Sequence, residues 1–291
     1  MQKQKLPFIC FLDIDKTMIG RSHALTARFW LRRVIAELVD AGEVQVSLKT
    51  QKCPLSSDPD AHVGADLIRP RLGEALRLMK SASNNGIEFF VCSLGTRPNV
   101  AQCKVPGIEK CIGMRFNRPL FCTSVDGEVD NCNAATAPGN KKLVYQNFCT
   151  AIAVLAKRKK WAAALSKKGA MQHVFDKRFI MIDDTPDVAL SDACNARIVT
   201  CTPYEHTPWV SATAGIPEEL LRHPRVSSYL RANPPPRRDN NESRPAVSSN
   251  MSDDDWWPRF AQIFADAVRR GGSDEEGCIS LDIVREARRI K

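Results

Sequence analysis

Acidic residues follow apolar segments at two places in the chain, and carboxylates in such positions can do chemistry. Asp13 and Asp15 come directly after the apolar segment Leu6–Leu12. A second acidic pair, Asp183–Asp184, follows the apolar segment Arg178–Ile182. Because open α/β sheets bind ligands at the carboxyl ends of their strands, we expect all four carboxylates at one edge of a sheet. Such a group suits either a shared cation or separate roles as nucleophile and acid.

A third apolar run, Ile87–Cys92, ends at Ser93, and Thr96 is a second hydroxyl residue just beyond it. Short continuous apolar runs are typical of strands in a parallel sheet that is covered on both faces. Ser93, or else Thr96, is therefore the candidate hydroxyl group at the same edge.

Helical patterns alternate with these predicted strands. They cover Ala24–Val39, Pro70–Met79 and the long segment Asn140–Leu165. Strands that alternate with helices predict an α/β fold with a doubly wound parallel sheet.

The polar strand ends resemble, in order, three motifs of the haloacid dehalogenase (HAD) superfamily of phosphatases. The first motif, D-x-D-x-T, matches Asp13–Thr17; the second matches Ser93, and the fourth matches Asp183–Asp184. The segment Ile68–Lys80 also resembles an element of the RNA polymerase II C-terminal-domain phosphatases, also called NLI-interacting-factor-like. The resemblance spans Phe8–Tyr204 and implies a HAD-like (Rossmannoid) fold and a Mg²⁺-dependent phosphatase.

The resemblance also implies a role for each motif residue. Asp13 would attack phosphorus and form an aspartyl-phosphate, while Asp15 would protonate the leaving oxygen and then activate water. The Mg²⁺ ligands would be the Asp13 carboxylate, the Asp15 backbone carbonyl and Asp184, with Asp183 direct or through water. Ser93 and a lysine would hold the phosphoryl oxygens.

The identity of that third-motif lysine stays open. Lys141 and Lys142, which open the predicted helix after residue 140, match the family position best. They lie about 40 residues before Asp183, which is a longer gap than the family usually has. Lys177 is closer to Asp183, but it lies at the start of a predicted strand.

The composition predicts a division into a main domain over residues 1–231, which the resemblance implies is a HAD-like phosphatase domain, a disordered linker over 232–250 and a helical tail over 251–291. The linker is rich in proline and polar residues and has little to bury. In the tail, Trp257, Phe260 and Phe264 fall on one helical face, which either packs back on the body or docks on a protein partner.

Between the first two motifs we expect only a minimal cap. A site without a large cap is open, and an open site favours a phosphorylated protein as substrate.

The chain carries 42 Lys and Arg residues against 33 Asp and Glu residues, a net charge of +9. The 12 basic and 11 acidic residues from Arg225 onward leave +8 on residues 1–224. A basic body favours anionic partners such as phosphoproteins, nucleic acid or nucleoprotein, and the run Lys157–Lys160 is either a solvated face or an anion-binding patch.

Two alternatives stay open. One is a nucleic-acid 3′-end phosphatase, which has the same first motif and would use the basic body. The other is a structural or assembly protein that kept the fold, similar to the phosphatase relative that large insect DNA viruses need for nucleocapsid assembly.

The cysteines and the apolar runs indicate the cellular compartment in which we expect the protein to act. Its 11 cysteines are odd in number and form no C-x-x-C pair, which favours free thiols in a reducing compartment, cytoplasmic or nuclear. No apolar run approaches the roughly 20 residues that cross a bilayer, and no signal peptide is expected, so we expect no membrane association.

Overall fold

The fold is taken from a computed structural model of the chain. It describes residues 6–20, 31, 34–45, 63, 67–84, 86–97, 99–123, 136–138, 142–204, 216–232, 254–271 and 279–290. Lys141 and nearly all of the predicted linker lie outside these residues, as does most of the segment between the first motif and residue 67.

Six strands form a single parallel sheet, with the order β4-β3-β2-β1-β5-β6. All five residues of β1 and all five of β5 are buried, as expected for continuous apolar runs in a sheet covered on both faces. The strands are β1 (Phe8–Leu12), β2 (Ile87–Thr96), β3 (Asn117–Thr123), β4 (Thr136–Pro138), β5 (Phe179–Asp183) and β6 (Ile198–Thr200).

Helices cover both faces of the sheet. The helices whose bounds the structure gives, of which α7 and α8 belong to a separate small core, are α1 (Leu72–Ala82), α2 (Val105–Ile112), α3 (Val144–Ala156), α4 (Lys159–Leu165), α5 (Ala170–Arg178), α6 (Asp192–Asn195), α7 (Glu218–Leu221), α8 (Pro224–Ala232), α9 (Trp256–Gly271) and α10 (Ile279–Ala287). A π-helical turn, Asn99–Lys104, leads into α2. None of the helices in the described ranges is both long and apolar enough to span a bilayer.

Strand β1 feeds two separate hydrophobic cores because successive side chains of a strand point to opposite faces. Phe8, Cys10 and Leu12 belong to the core that contains α1, α2, α9 and α10. Ile9 and Phe11 belong to the core that contains α3, α4 and α5. The α/β doubly wound parallel sheet that the sequence predicts is therefore confirmed at this level.

The sheet changes its winding direction between β1 and β5. From β1 the chain adds β2, β3 and β4 on one side, and then returns to place β5 on the other side. The carboxyl ends of β1 and β5 therefore border the crevice where α/β sheets bind ligands. Asp13 follows β1 directly, and Asp183 is the last residue of β5.

The long helix predicted over Asn140–Leu165 is wrong as one element, because the chain breaks between α3 and α4. Arg158 there has extended backbone angles, with φ −87° and ψ 132°. Its guanidinium donates to Asn117 Oδ1 at 2.7 Å, and Glu88 lies within 3.5 Å of both Arg158 and Lys160. The basic run Lys157–Lys160 is therefore partly paired with a carboxylate of the body.

The C-terminal helices pack against the sheet. Trp257, Phe260 and Phe264 are fully buried, and the Phe264 ring meets the ring of Phe8 edge to face at 5.0 Å. Helices α9 and α10 share one hydrophobic core with β1 and α1. Of the two alternatives for the apolar stripe of the tail, the structure therefore has the stripe packed against the body.

Residues from the segment between the first two motifs form a small third core with α7 and α8. Leu31, Ile35 and Leu38 pack against Leu220 and Val226. Because most residues between Gly20 and Leu67 are outside the described part of the chain, the minimal cap stays a prediction.

A buried arginine ties the tail to the body. Arg69 contacts Asp254 through two bonds, with Nε to Oδ2 at 2.8 Å and Nη2 to Oδ1 at 3.1 Å. The remaining guanidinium nitrogen, Arg69 Nη1, donates to the Thr202 carbonyl at 2.8 Å. The guanidinium carbon also lies 5.6 Å from the ring centroid of Tyr204 and 5.3 Å from that of Trp256. Three segments that are distant in sequence therefore meet at one side chain.

We expect Asp254→Asn to lower the free energy of unfolding by roughly 3 kcal/mol, because it leaves the charge of buried Arg69 uncompensated. The neighbouring Asp255→Asn is the matched control. The Asp255 side chain is 61% exposed against 14% for Asp254, and its pair with Arg259 at 3.8 Å is expected to contribute less than about 1 kcal/mol. Chemical denaturation of both variants measures the difference, and equal losses would contradict the role given to Arg69.

Candidate functional site

Three carboxylates converge at the crevice between β1 and β5. Oxygen atoms of Asp13, Asp183 and Asp184 all lie within 4.8 Å of one another. The backbone fixes this convergence, because the Asp13 N–H donates to the Ile182 carbonyl of β5 at 3.0 Å. The structure therefore brings together the three carboxylates that were predicted as metal ligands, contributed by two neighbouring strand ends.

The chemistry of this cluster fits a hard divalent cation. Asp13 and Asp183 are buried, and Asp184 is partly exposed. Three carboxylates in so small and so poorly hydrated a space repel one another, and a bound cation offsets that repulsion. Oxygen ligands with room for water on the exposed side are the set that Mg²⁺ prefers. A further bond shapes the turn, because the Thr185 N–H donates to Asp183 Oδ1 at 2.9 Å.

Asp15 has a different partner. Lys104 Nζ lies 2.7 Å from Asp15 Oδ1 and 2.6 Å from Oδ2, so it contacts both carboxylate oxygens. The lysine is 2% exposed, whereas the Asp15 side chain is 36% exposed and faces the solvent side of the site. The Asp15 carboxylate is thus held apart from the cluster of three, which leaves only its backbone carbonyl for the metal role that the resemblance implies.

Lys104 is the residue that sequence reasoning missed. It ends the π-helical turn after β2, and the neighbouring Val105 and Ile108 are core residues. A lysine beside buried apolar residues is the available signal, because a buried ammonium group needs a carboxylate partner. The spacing of the family motifs instead predicted Lys141 or Lys142, which lie further along the chain.

The lysines that the sequence favoured are in other environments. Lys142 precedes α3 with an exposed side chain, and its backbone carbonyl accepts from the Leu190 N–H at 3.2 Å. Lys141 lies outside the described residues. Lys177 is in the last turn of α5, just before β5 begins. It therefore lies near the amino ends of the strands, whereas the carboxylates lie at the carboxyl ends.

Ser93 lies in β2 beside the end of β1. The register pairs Leu12 with Val91. Ser93 therefore lies at the carboxyl end of the sheet, one residue beyond the position level with Asp13. Its side chain is buried, and its Oγ accepts a hydrogen bond from the Gly95 N–H at 3.1 Å. A serine hydroxyl that accepts a hydrogen bond in this way can still donate its own hydrogen. Strand β2 continues to Thr96, the alternative hydroxyl residue.

Two buried thiols lie close to the site, and burial makes both of them unreactive. Burial raises the pKa of Cys10 well above its ordinary value and raises that of Cys201 to about 12. The Cys201 Sγ donates to the Thr17 hydroxyl at 3.7 Å. Because both thiols stay protonated at neutral pH, neither is a candidate nucleophile.

No family model, curated protein or solved structure matches the chain. The inference of function therefore depends on the site residues and their geometry.

Mg²⁺ is expected to raise the melting temperature of the wild type, because it relieves the repulsion among Asp13, Asp183 and Asp184. At about 100 times its dissociation constant, binding stabilises the folded state by roughly 2.7 kcal/mol. Asp184→Ala should lose most of this response, whereas the exposed control Asp192→Ala should keep it. A full response in the double variant Asp183→Ala/Asp184→Ala would show that the cation binds elsewhere.

Proposed function

We propose that the chain is a Mg²⁺-dependent phosphatase of the HAD type, which acts through an aspartyl-phosphate intermediate. The observation that carries the proposal is the separation of two carboxylates that are only two residues apart. Asp13 joins Asp183 and Asp184 within 4.8 Å, whereas Asp15 is bound to Lys104. A cation-binding nucleophile and a separate acid–base group are what a two-step phosphoryl transfer requires.

In the first step, an Asp13 carboxylate oxygen attacks phosphorus as the bond from phosphorus to the leaving oxygen breaks. Asp15 gives a proton to that leaving oxygen and is left as a carboxylate, which the Lys104 ammonium beside it stabilises. In the second step, Asp15 takes a proton from water as the water attacks the phosphorus of the aspartyl-phosphate, which restores the Asp13 carboxylate. Mg²⁺ held by Asp13, Asp183 and Asp184 would offset the negative charge of the phosphate.

The remaining site residues support the transferring group. Ser93 can donate its hydroxyl hydrogen to a phosphoryl oxygen, and Lys104 can share its charge between Asp15 and the incoming phosphate. Lys142 stays a candidate for a further contact with the phosphate.

The proposed substrate is a phosphorylated protein. The net charge of +9 supports an anionic macromolecule rather than a neutral one. The same charge favours the second candidate, a 3′-phosphorylated nucleic acid. Release of phosphate from a phosphoserine peptide and from a 3′-phosphorylated oligonucleotide, compared at two salt concentrations, distinguishes them, since nucleic-acid binding weakens steeply with salt.

Asp13→Asn should lower kcat for an aryl phosphate with Mg²⁺ by at least about a thousandfold and abolish aspartyl-phosphate formation, because the amide is not a nucleophile. Asp282→Asn makes the same chemical change at an exposed position of α10 and should leave kcat unchanged. Hydrolysis by Asp13→Asn at the rate of the wild type would contradict the proposed mechanism.

Lys104→Met should lower kcat by about ten- to a hundredfold, because Asp15 loses the ion pair that orients it and stabilises its carboxylate form. The Mg²⁺-dependent rise in melting temperature should remain, since Lys104 does not contact the cluster of three carboxylates. Steady-state kinetics and thermal melting of the same sample check both expectations. Loss of the Mg²⁺ response with kcat unchanged would mean that Lys104 serves the metal site instead.

A further inference from the structure

The loop that carries Asp15, residues 15–20, is held by three segments that are far apart in sequence. Three consecutive carbonyl groups of the loop each accept one hydrogen bond from a different segment. The bonds are Tyr204 N to Lys16 O at 2.7 Å, Trp257 Nε1 to Thr17 O at 3.2 Å, and Arg69 N to Met18 O at 2.9 Å. Of these three donors, Trp257 is the one that uses a side chain and the one that belongs to the C-terminal helices.

This loop needs outside support because its backbone is strained next to Asp15. Lys16 has a φ of 58°, in the left-handed region that a residue with a Cβ rarely adopts. Such a conformation persists where surrounding contacts enforce it. The bonds to the Lys16 and Thr17 carbonyls come directly after Asp15, so they fix the direction in which the Asp15 side chain leaves the loop.

Trp257 is well placed to enforce this conformation. Its indole ring is fully buried, as is the Thr17 side chain. Loss of the indole N–H would take a hydrogen-bond donor away from a buried carbonyl, which is more damaging than loss of the same bond in water.

Helix α9 is itself held at its first turn. Asp254 pairs with Arg69 and also accepts from the Trp256 N–H at 3.2 Å. Arg69 belongs to the segment whose backbone holds Met18, and its guanidinium donates to Thr202, two residues before Tyr204. The Arg69–Asp254 pair thus links all three segments that hold the loop.

We propose that helix α9 is a positioning element of the candidate site, with Trp257 as the positioning residue. It holds residues 15–20 in the strained conformation that brings Asp15 to Lys104. The catalytic consequence rests on the proposed function, but the effect on the loop does not.

Trp257→Phe tests the proposal because it keeps an aromatic ring and removes the N–H. Trp256→Phe is the matched control in the same helical turn: the Trp256 indole N–H has no hydrogen-bond acceptor within the described ranges, and its ring stacks on Phe260 at 5.0 Å, as a phenyl ring can. The first readout is hydrogen–deuterium exchange of Met18 and Ile19, whose N–H groups donate to the Ile14 carbonyl at 2.9 and 3.1 Å. The second is kcat and KM for an aryl phosphate.

In Trp257→Phe we expect these loop amides to exchange about tenfold faster and kcat to fall about tenfold, with KM and the Mg²⁺ response within about twofold of wild type. Trp256→Phe should resemble wild type in all four. Wild-type exchange rates in Trp257→Phe, or equal acceleration in both variants, would overturn the proposal. An unchanged kcat with a loosened loop would overturn the link to Asp15.

If the wild type does not hydrolyse the aryl phosphate, the proposed function fails, and the exchange comparison still decides whether α9 holds the loop. If Trp257→Phe does not fold, native-state exchange of the wild type in low concentrations of urea replaces it. The loop amides and those of α9 should then become exposed in one opening event, and opening of α9 while the loop stays protected would overturn the proposal.

Discussion

Negative charge collected at the crevice between β1 and β5 is the constraint around which the rest of this structure is arranged. Asp13 and Asp183 are buried, and their oxygens lie within 4.8 Å of each other and of Asp184. At such separations, and with little water between them, like charges repel strongly. The parallel sheet imposes the geometry, because the ladder between β1 and β5 fixes both strand ends. Compensation must then come from cations, either a bound divalent ion or basic side chains.

Two carboxylates outside this cluster are paired with positive groups from distant parts of the chain. Lys104 reaches Asp15 from the turn after β2, and Arg69 reaches Asp254 across 185 residues of sequence. Both cations are almost completely buried, and each is matched by a carboxylate that is more exposed than itself. Buried pairs of this kind add little net stability, but either partner alone is strongly unfavourable, so they favour one arrangement of the segments over others.

Local sequence predicted the parts of the fold that depend on local pattern. The runs that became β1 and β5 are apolar along their whole length, and the acidic residues that end them mark the edge of the sheet. Lys104 escaped prediction because its role depends on a π-helical turn and on a partner 89 residues away. The apolar stripe of α9 could be predicted from the periodicity of the sequence. Its position against α1 and β1 depends on Arg69 and on the shapes of the other core residues, which periodicity does not encode. Arg158 was predicted to be helical on its propensity, but its backbone is extended, and its guanidinium contacts Asn117 and Glu88, which local sequence does not reveal.

Two carboxylates separated by one residue acquire different environments because the chain leaves the strand between them. Asp13 is still fixed by the ladder through its N–H bond to Ile182, which directs it to the cluster at the switch point. Asp15 belongs to a loop with its own supports and meets a buried ammonium group instead. Separation of environments within a short motif is how one protein can use chemically identical groups as nucleophile and as acid. In this chain the loop, and with it the C-terminal helix that holds the loop, is what makes the two aspartates different.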